Sequence, residues 1–218
     1  MITPADASAV FAAKRSQTWI DVLRDRAQHR PELVVYTFLV DGHTREARLT
    51  FAELDQRARA IGAMLQRRLA PGDRALLLYP PGLDYIAAFL GCLCAGVVAV
   101  PAWPPRPARL ELTLPRLRGI VGDVKPRAVL THTAGLSLAD AMSRSAGEFG
   151  SLPWLPTDSV DVEQSREWQD PRLSPDAIAV VQYTSGSTAS PKGVVLSHGN
   201  LLHNSAILRT RWATASAA

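Results

Sequence analysis

The sequence predicts an α/β fold, in which a mostly parallel sheet is covered by helices on both faces. Strand-like and helix-like segments alternate along most of the chain, a pattern typical of parallel sheets with crossover helices. Several strand-like segments are apolar at every position, as expected of strands buried on both faces. The composition is that of a globular protein, with 47% apolar and 20% charged residues among 218 and a mean hydropathy of +0.01.

The first part of the chain contains signals for two helices and a hairpin. Ser16 is the expected N-cap of the first helix, and Asp41-Gly42 is a turn pair between two strand-like segments. Thr50 and Glu53 have the spacing of a capping box at the start of the second helix. The predicted elements are a helix from Ser16 to His29, strands from Leu33 to Leu39 and Arg45 to Thr50, and a helix from Thr50 to about Leu69.

The rest of the chain has five strand-like and four helix-like segments. The predicted strands are Arg74 to Pro80, Val97 to Pro101, Ala128 to His132, Ala177 to Tyr183 and Gly193 to Ser197. The predicted helices are Asp84 to Cys94, Leu114 to Val124, Leu136 to Ala146 and one that begins after Ser197. Residues 147–175, rich in Pro, Asp and Ser, are expected to be mostly connecting structure.

One uncharged stretch, Tyr85 to Trp103, has the 19-residue length of a membrane span. Ala95-Gly96 interrupts it, and glycine commonly follows the end of a helix. The stretch is therefore predicted to be a buried helix followed by a short buried strand, and no membrane span is expected.

The charge distribution argues against nucleic-acid binding. The net charge is +4 and the isoelectric point is about 9.4, but acidic residues are scattered between the arginines. Nucleic-acid binders usually gather their basic residues into a stripe with aromatic side chains, so no nucleic-acid partner is expected.

The cysteines and histidines do not form a metal site by their spacing. Cys92 and Cys94 point about 200° apart on a helix, and His198 and His203 about 140° apart. Two thiols without a disulfide framework indicate a cytoplasmic protein, and the N-terminus lacks the pattern of a secretory signal.

The segment YTSGSTASPKG, Tyr183 to Gly193, lies between the last two predicted strands. It is not a Walker A loop, because its lysine precedes the glycine and a strand follows. It also lacks the dinucleotide fingerprint and the nucleophile elbow. A run of Ser, Thr and Gly is often only a surface linker, but hydroxyls, the backbone at Gly186 and the Lys192 ammonium are also groups that bind phosphate oxygens.

The order of residue types in this segment resembles the signature of the adenylate-forming superfamily, Tyr/Phe-Thr-Ser-Gly-Ser/Thr-Thr-Gly-x-Pro-Lys-Gly. Ala189 departs from the pattern, at a position where glycine is usual. A narrower match, to the fatty acyl-AMP ligases, includes the PAWPP of Pro101 to Pro105. The resemblance runs from about Thr18 to Ile207 and implies an incomplete, N-terminal part of the large adenylate-forming domain.

The resemblance implies an enzyme that activates a fatty acid with ATP and Mg²⁺, which gives acyl-AMP and pyrophosphate. Such enzymes typically pass the acyl group to an acyl carrier protein of a polyketide or peptide synthetase. By the same resemblance, the residues that bind the ATP phosphates are Thr184, Ser185, Gly186, Ser187, Thr188, Lys192 and Gly193. No catalytic residue and no metal ligand is assigned.

The resemblance also implies a domain that continues beyond this sequence. Residues 1–208 are expected to be the N-terminal part of an AMP-binding domain, and residues 209–218 an atypical tail at a truncation or frame shift. The adenine- and ribose-binding segments and most of the acyl pocket would then lie elsewhere, so the 218 residues alone are expected to be inactive. The alternatives are a long-chain acyl-CoA synthetase fragment and a non-catalytic remnant or half-domain that needs a partner chain.

Five further side chains are given structural roles. Trp103 is expected to be a packed loop anchor, with contact to an acyl chain or a partner as the alternative, and Tyr183 is expected to be a core residue rather than a ligand. His198 is expected in the capping region of a helix. Arg106 and Arg109 are expected on the solvated surface, with contact to an acidic carrier protein as the alternative.

Overall fold

The computed structural model describes residues 18–105, 110–145, 147–184 and 191–215. The helices are α1 Trp19–His29, α2 Phe51–Gln66, α3 Leu83–Ala95, α4 Leu110–Val124, α5 Leu136–Ser145, α6 Gly147–Gly150 and α7 His198–Ala215. The strands are β1 Val34–Leu39, β2 Glu46–Thr50, β3 Arg74–Leu78, β4 Val98–Ala102, β5 Ala128–Thr131, β6 Trp154–Pro156, β7 Ile178–Thr184 and β8 Lys192–Ser197. Short 3₁₀ helices occupy Thr133–Gly135 and Val162–Glu167.

The main sheet has six strands in the order β6-β5-β3-β4-β7-β8, and β1 and β2 form a separate antiparallel hairpin. Neighbouring strands from β6 to β7 are parallel, and β8 runs antiparallel to β7. The predicted α/β fold with a mostly parallel sheet is therefore confirmed. The carboxyl ends of the parallel strands share one edge of the sheet, which is where α/β proteins bind their ligands.

Helices cover both faces of this sheet. Along β3, Ala75 and Leu77 pack in the core cluster with α2 and α3, whereas Leu76 and Leu78 pack in the cluster with α4 and α5. All four side chains are at most 1% exposed, which accounts for the uninterrupted apolar run in the sequence.

Capping boxes begin the first two long helices. Thr50 Oγ1 accepts from the Glu53 N–H at 3.2 Å, and Glu53 Oε2 accepts from the Thr50 N–H at 2.8 Å, as predicted. The prediction that Ser16 caps the first helix was wrong, because α1 begins at Trp19 with Thr18 as its N-cap. Asp21, three residues after Thr18, completes that box and moves the helix start.

The uncharged stretch is a helix followed by a strand, as predicted. α3 ends at Gly96, whose φ of +73° is the left-handed conformation that glycine adopts readily. Pro101 lies within β4, opposite Leu77. No helix in the part of the chain covered by the structure is long and apolar enough to cross a membrane.

Several boundaries differ from the predicted ones. α2 ends at Gln66, three residues before Leu69, and α4 begins at Leu110 with Pro115 inside it. Residues 147–175 were expected to be mostly connecting structure, yet they contain β6, which pairs with β5 and adds Leu155 to the core. Three residues are too few to show an alternating pattern. α7 continues through Ala215, into the segment expected to be an atypical tail.

Candidate functional site

β7 and β8 form an antiparallel hairpin at the carboxyl end of β7. Thr184 and Lys192 are paired across the two strands at the base of the connecting loop, and both are exposed. Directly opposed residues project from the same face with β-carbons about 5 Å apart, so the hairpin presents a hydroxyl and an ammonium group together. The other predicted phosphate ligands, Ser185, Gly186, Ser187 and Thr188, lie outside the described residues.

Gly193 lies opposite Tyr183 in the hairpin. A β-carbon at this position would lie 3.0 Å from Val181 Cγ1 and 3.1 Å from Tyr183 Cζ, closer than side chains normally approach. The Tyr183 ring therefore occupies the space that a side chain at residue 193 would need. Packing alone accounts for a glycine here, before any contact with a ligand is considered.

Tyr183 links the hairpin to α4. Its side chain is buried, as predicted, and its hydroxyl donates a hydrogen bond to Asp123 Oδ2. Burial first, and then the hydrogen bond to the carboxylate, raise the pKa of the Tyr183 hydroxyl above its usual value. The phenol therefore keeps its proton at neutral pH and remains a donor to Asp123.

α4 also contacts both ends of the loop. At the β7 end, the Arg116 guanidinium donates to the Thr184 carbonyl over 3.5 Å, a long hydrogen bond. At the β8 end, a β-carbon on Gly119 would lie 3.3 Å from Pro191 Cγ. Arg116, Gly119 and Asp123 lie on one face of α4, because residues three and seven apart are neighbours on a helix surface.

A cavity of about 540 Å³ lies beside the hairpin, at the carboxyl ends of β3, β4 and β7. Its walls are mainly aromatic, aliphatic and proline side chains, among them Tyr79, Tyr85, Pro101, Trp103, Ile120 and Tyr183. Its volume falls in the range of small-molecule sites.

Trp103 is 77% exposed, so the prediction of a packed anchor was wrong, because the chain leaves the sheet after β4 ends at Ala102.

Among the described side chains, no group of three or more His, Cys, Asp and Glu could bind a metal. His198 is 1% exposed at the first position of α7, and its Nδ1 accepts from the Trp19 N–H at 3.3 Å. Cys92 and Cys94 are free and buried, and burial raises the pKa of both thiols. They are therefore core residues rather than reactive nucleophiles.

The residues of α4 that touch the hairpin were not identified from the sequence. Asp123 is 60 residues from Tyr183, and Arg116 is 68 residues from Thr184. The only available signal was their helical spacing, which is also typical of a solvated helix face. The two predicted surface arginines, Arg106 and Arg109, lie outside the described ranges.

Comparisons with known proteins identify relatives of this chain. Residues 23–217 match the family model of AMP-binding enzymes. The chain is 43% identical over 196 residues to a medium-chain-fatty-acid–[acyl-carrier-protein] ligase of Moorena producens, and this match covers 89% of the chain and 33% of that protein. It is 35% identical over 184 residues to a long-chain-fatty-acid–AMP ligase of Mycobacterium marinum, and this match covers 82% of the chain and 28% of that protein.

A solved structure agrees with the sequence relatives. The crystal structure of a fatty acyl-adenylate ligase from L. pneumophila, in complex with acyl adenylate and pyrophosphate, matches with a TM-score of 0.77 and 42% identity. The match covers 87% of this chain and 32% of that one, so the chain spans about a third of the length of its relatives. These findings confirm the resemblance inferred from the loop and from PAWPP: the chain belongs to the AMP-binding enzyme family, with fatty acyl-AMP ligases among its relatives.

Proposed function

We propose that this chain contributes the phosphate-binding hairpin of a ligase that activates a fatty acid with ATP, forming acyl-AMP and pyrophosphate. The observation that supports it most directly is the pairing of Thr184 with Lys192 at the carboxyl end of β7. A hydroxyl and an ammonium group side by side suit a polyphosphate, because both donate hydrogen bonds to phosphate oxygens. The proposed set is completed by Ser185, Gly186, Ser187, Thr188 and Gly193.

In the proposed reaction a carboxylate oxygen of the fatty acid attacks the α-phosphorus of ATP. The bond between that oxygen and phosphorus forms, the bond to the bridging oxygen breaks, and pyrophosphate leaves with the electron pair. The Lys192 ammonium would offset the charge on the leaving group, while the Thr184 hydroxyl would hold one of its oxygens. Mg²⁺ would add to this neutralisation, but the described residues offer no cluster of ligands for it, so no step is assigned to it.

We assign the apolar part of the substrate to the cavity beside the hairpin. Its walls are predominantly apolar, which suits an acyl chain, and Gln182 and Tyr183 connect the cavity to Thr184. A fatty acid held there would have an apolar environment for its chain and a phosphate-binding hairpin next to it.

For the second step we propose transfer to an acyl carrier protein of a polyketide or peptide synthetase. The name of the Moorena producens relative supports a carrier protein as acceptor. An acyl-CoA synthetase is the alternative, and a product assay separates the two: acyl-AMP consumed by a phosphopantetheinylated carrier protein supports our proposal, and a thioester formed with CoA contradicts it. The free thiols of Cys92 and Cys94 favour a cytoplasmic reaction.

Lys192→Ala tests the hairpin directly. In the complete gene product, loss of the ammonium is expected to slow acyl-AMP formation about 100-fold, measured as pyrophosphate release with ATP and a fatty acid. Lys125→Ala is the matched control, because Lys125 is also exposed but follows the end of α4. A Lys192→Ala rate equal to that of Lys125→Ala would contradict the role of the hairpin, and a wild type without acyl-AMP would overturn the activity itself.

We also propose that residues 1–218 by themselves do not form acyl-AMP, because the family resemblance places the adenine- and ribose-binding segments elsewhere. The test is an assay of acyl-AMP by the isolated polypeptide. Steady product formation would contradict the proposal. Activity that appears only when a second chain is added would instead favour the half-domain alternative.

A further inference from the structure

α4 holds the β7 end of the phosphate-binding hairpin through two contacts. Asp123 accepts the hydrogen bond of Tyr183, the residue that directly precedes Thr184. Arg116 donates to the main-chain carbonyl of Thr184. One proposed phosphate ligand is therefore attached to this helix through its own backbone and through its neighbour.

The same helix lies close to the β8 end of the hairpin. Gly119 faces Pro191, the residue that directly precedes Lys192, and a β-carbon on Gly119 would lie 3.3 and 3.4 Å from Pro191 Cγ and Cδ. Gly122, one turn further along α4, has nothing within 4 Å of such a β-carbon. The close approach is thus specific to the position that faces the loop.

α4 itself is fixed against the sheet. Its apolar face is at most 7% exposed and consists of Leu114, Leu117, Ile120, Val121 and Val124. A helix anchored by a close-packed core does not move to accommodate a loop, so the loop ends take their positions from the helix.

We propose that α4 is the positioning element of the hairpin: Asp123 holds the β7 end through its hydrogen bond with Tyr183, and Gly119 leaves room for Pro191 at the β8 end. Together they set the positions of Thr184 and Lys192 relative to the ATP phosphates. The inference rests on the phosphate-binding role proposed above. Asp123 and Gly119 touch no phosphate in this scheme and act only through the hairpin. Their effect should therefore appear in the affinity for ATP, in addition to any effect on the stability of the fold.

The sharpest test compares Gly119→Ala with Gly122→Ala in the complete gene product. The two changes add the same methyl group to the same helix and raise its helix propensity alike, but only the first presses on Pro191. We expect Gly119→Ala to raise the Kd for ATP about tenfold, measured by calorimetry with ATP and Mg²⁺, without lowering the melting temperature. Gly122→Ala should bind ATP as the wild type does.

The outcomes distinguish the inference from the function on which it rests. A wild type that binds no ATP overturns both, because there is then no phosphate to position. If the wild type binds ATP and the two glycine variants bind it equally well, only the role of α4 is overturned.

A second set of variants tests the β7 end by a double-mutant cycle. Tyr183→Phe and Asp123→Ala each remove the same hydrogen bond, so both should raise the Kd for ATP. The Kd of the double variant should not exceed the higher of the two single-variant Kd values. Asp140→Asn, at an exposed position on α5, is the control and should bind ATP normally. Additive effects of the two single changes would overturn the proposed link.

Discussion

At the scale of single residues, we expect His198 to make the stability of the fold depend on pH. It is buried at the start of α7, and its Nδ1 accepts a hydrogen bond from the Trp19 N–H. Burial lowers the pKa of this imidazole below its usual value of 6.5, although Asp21 opposes the shift. Between the lower, folded-state pKa and about pH 6.5, the unfolded chain therefore binds a proton that the folded chain does not. The contribution of the neutral imidazole to the free energy of unfolding is fully present above about pH 6.5 and is lost as the pH falls through the folded-state pKa.

His198→Asn tests this dependence, because asparagine retains an acceptor but does not titrate near neutral pH. Between about pH 7.5 and about pH 5.5, we expect the melting temperature of the wild type to fall by about 2–4 °C more than that of the variant. His203→Asn, at an exposed position on the same helix, should behave like the wild type. Equal pH dependence in His198→Asn and the wild type would show that another group is responsible.

At the scale of elements, the central strands could be predicted because burial on both faces leaves a visible signal. β3 and β5 are apolar throughout after Arg74, up to the final Thr131. β6 left no such signal, since its three residues owe their place in the sheet to pairing with β5. The start of α1 was misplaced for a different reason: Ser16 and Thr18 are both good N-caps, and only the partner at Asp21 decides between them.

The candidate site divides in the same way between local and non-local information. Thr184 and Lys192 could be proposed from the sequence because they belong to one short signature segment, and their strand pairing follows from the apolar runs that flank it. The support that α4 gives them could not be proposed, because the contacts join residues that are 60 and 68 positions apart in the sequence. Trp103 was misjudged because the sequence does not report which way a loop leaves the sheet.

At the scale of the whole molecule, the sheet is covered unevenly. β3, β4 and β5 are enclosed by helices, whereas Val194 and Val195 on β8 are 45% and 55% exposed. Successive residues of a strand point to opposite faces, so β8 is exposed on both faces at these two positions. It is also the last strand of the sheet, and its outer edge pairs with no strand among those described. An exposed apolar edge of this kind is a template for association with another chain.

We therefore expect residues 1–218, expressed by themselves, to associate through β8 at concentrations on the order of 100 µM. Val195→Lys puts a charge on the edge strand and should shift the mass measured by light scattering toward the 23.6 kDa of a monomer. Val162→Lys is the matched control, because Val162 is 39% exposed on a 3₁₀ helix and does not belong to the sheet. If the unsubstituted polypeptide is already monomeric, or if both lysine variants reduce association equally, the β8 edge is not the surface through which the chains meet.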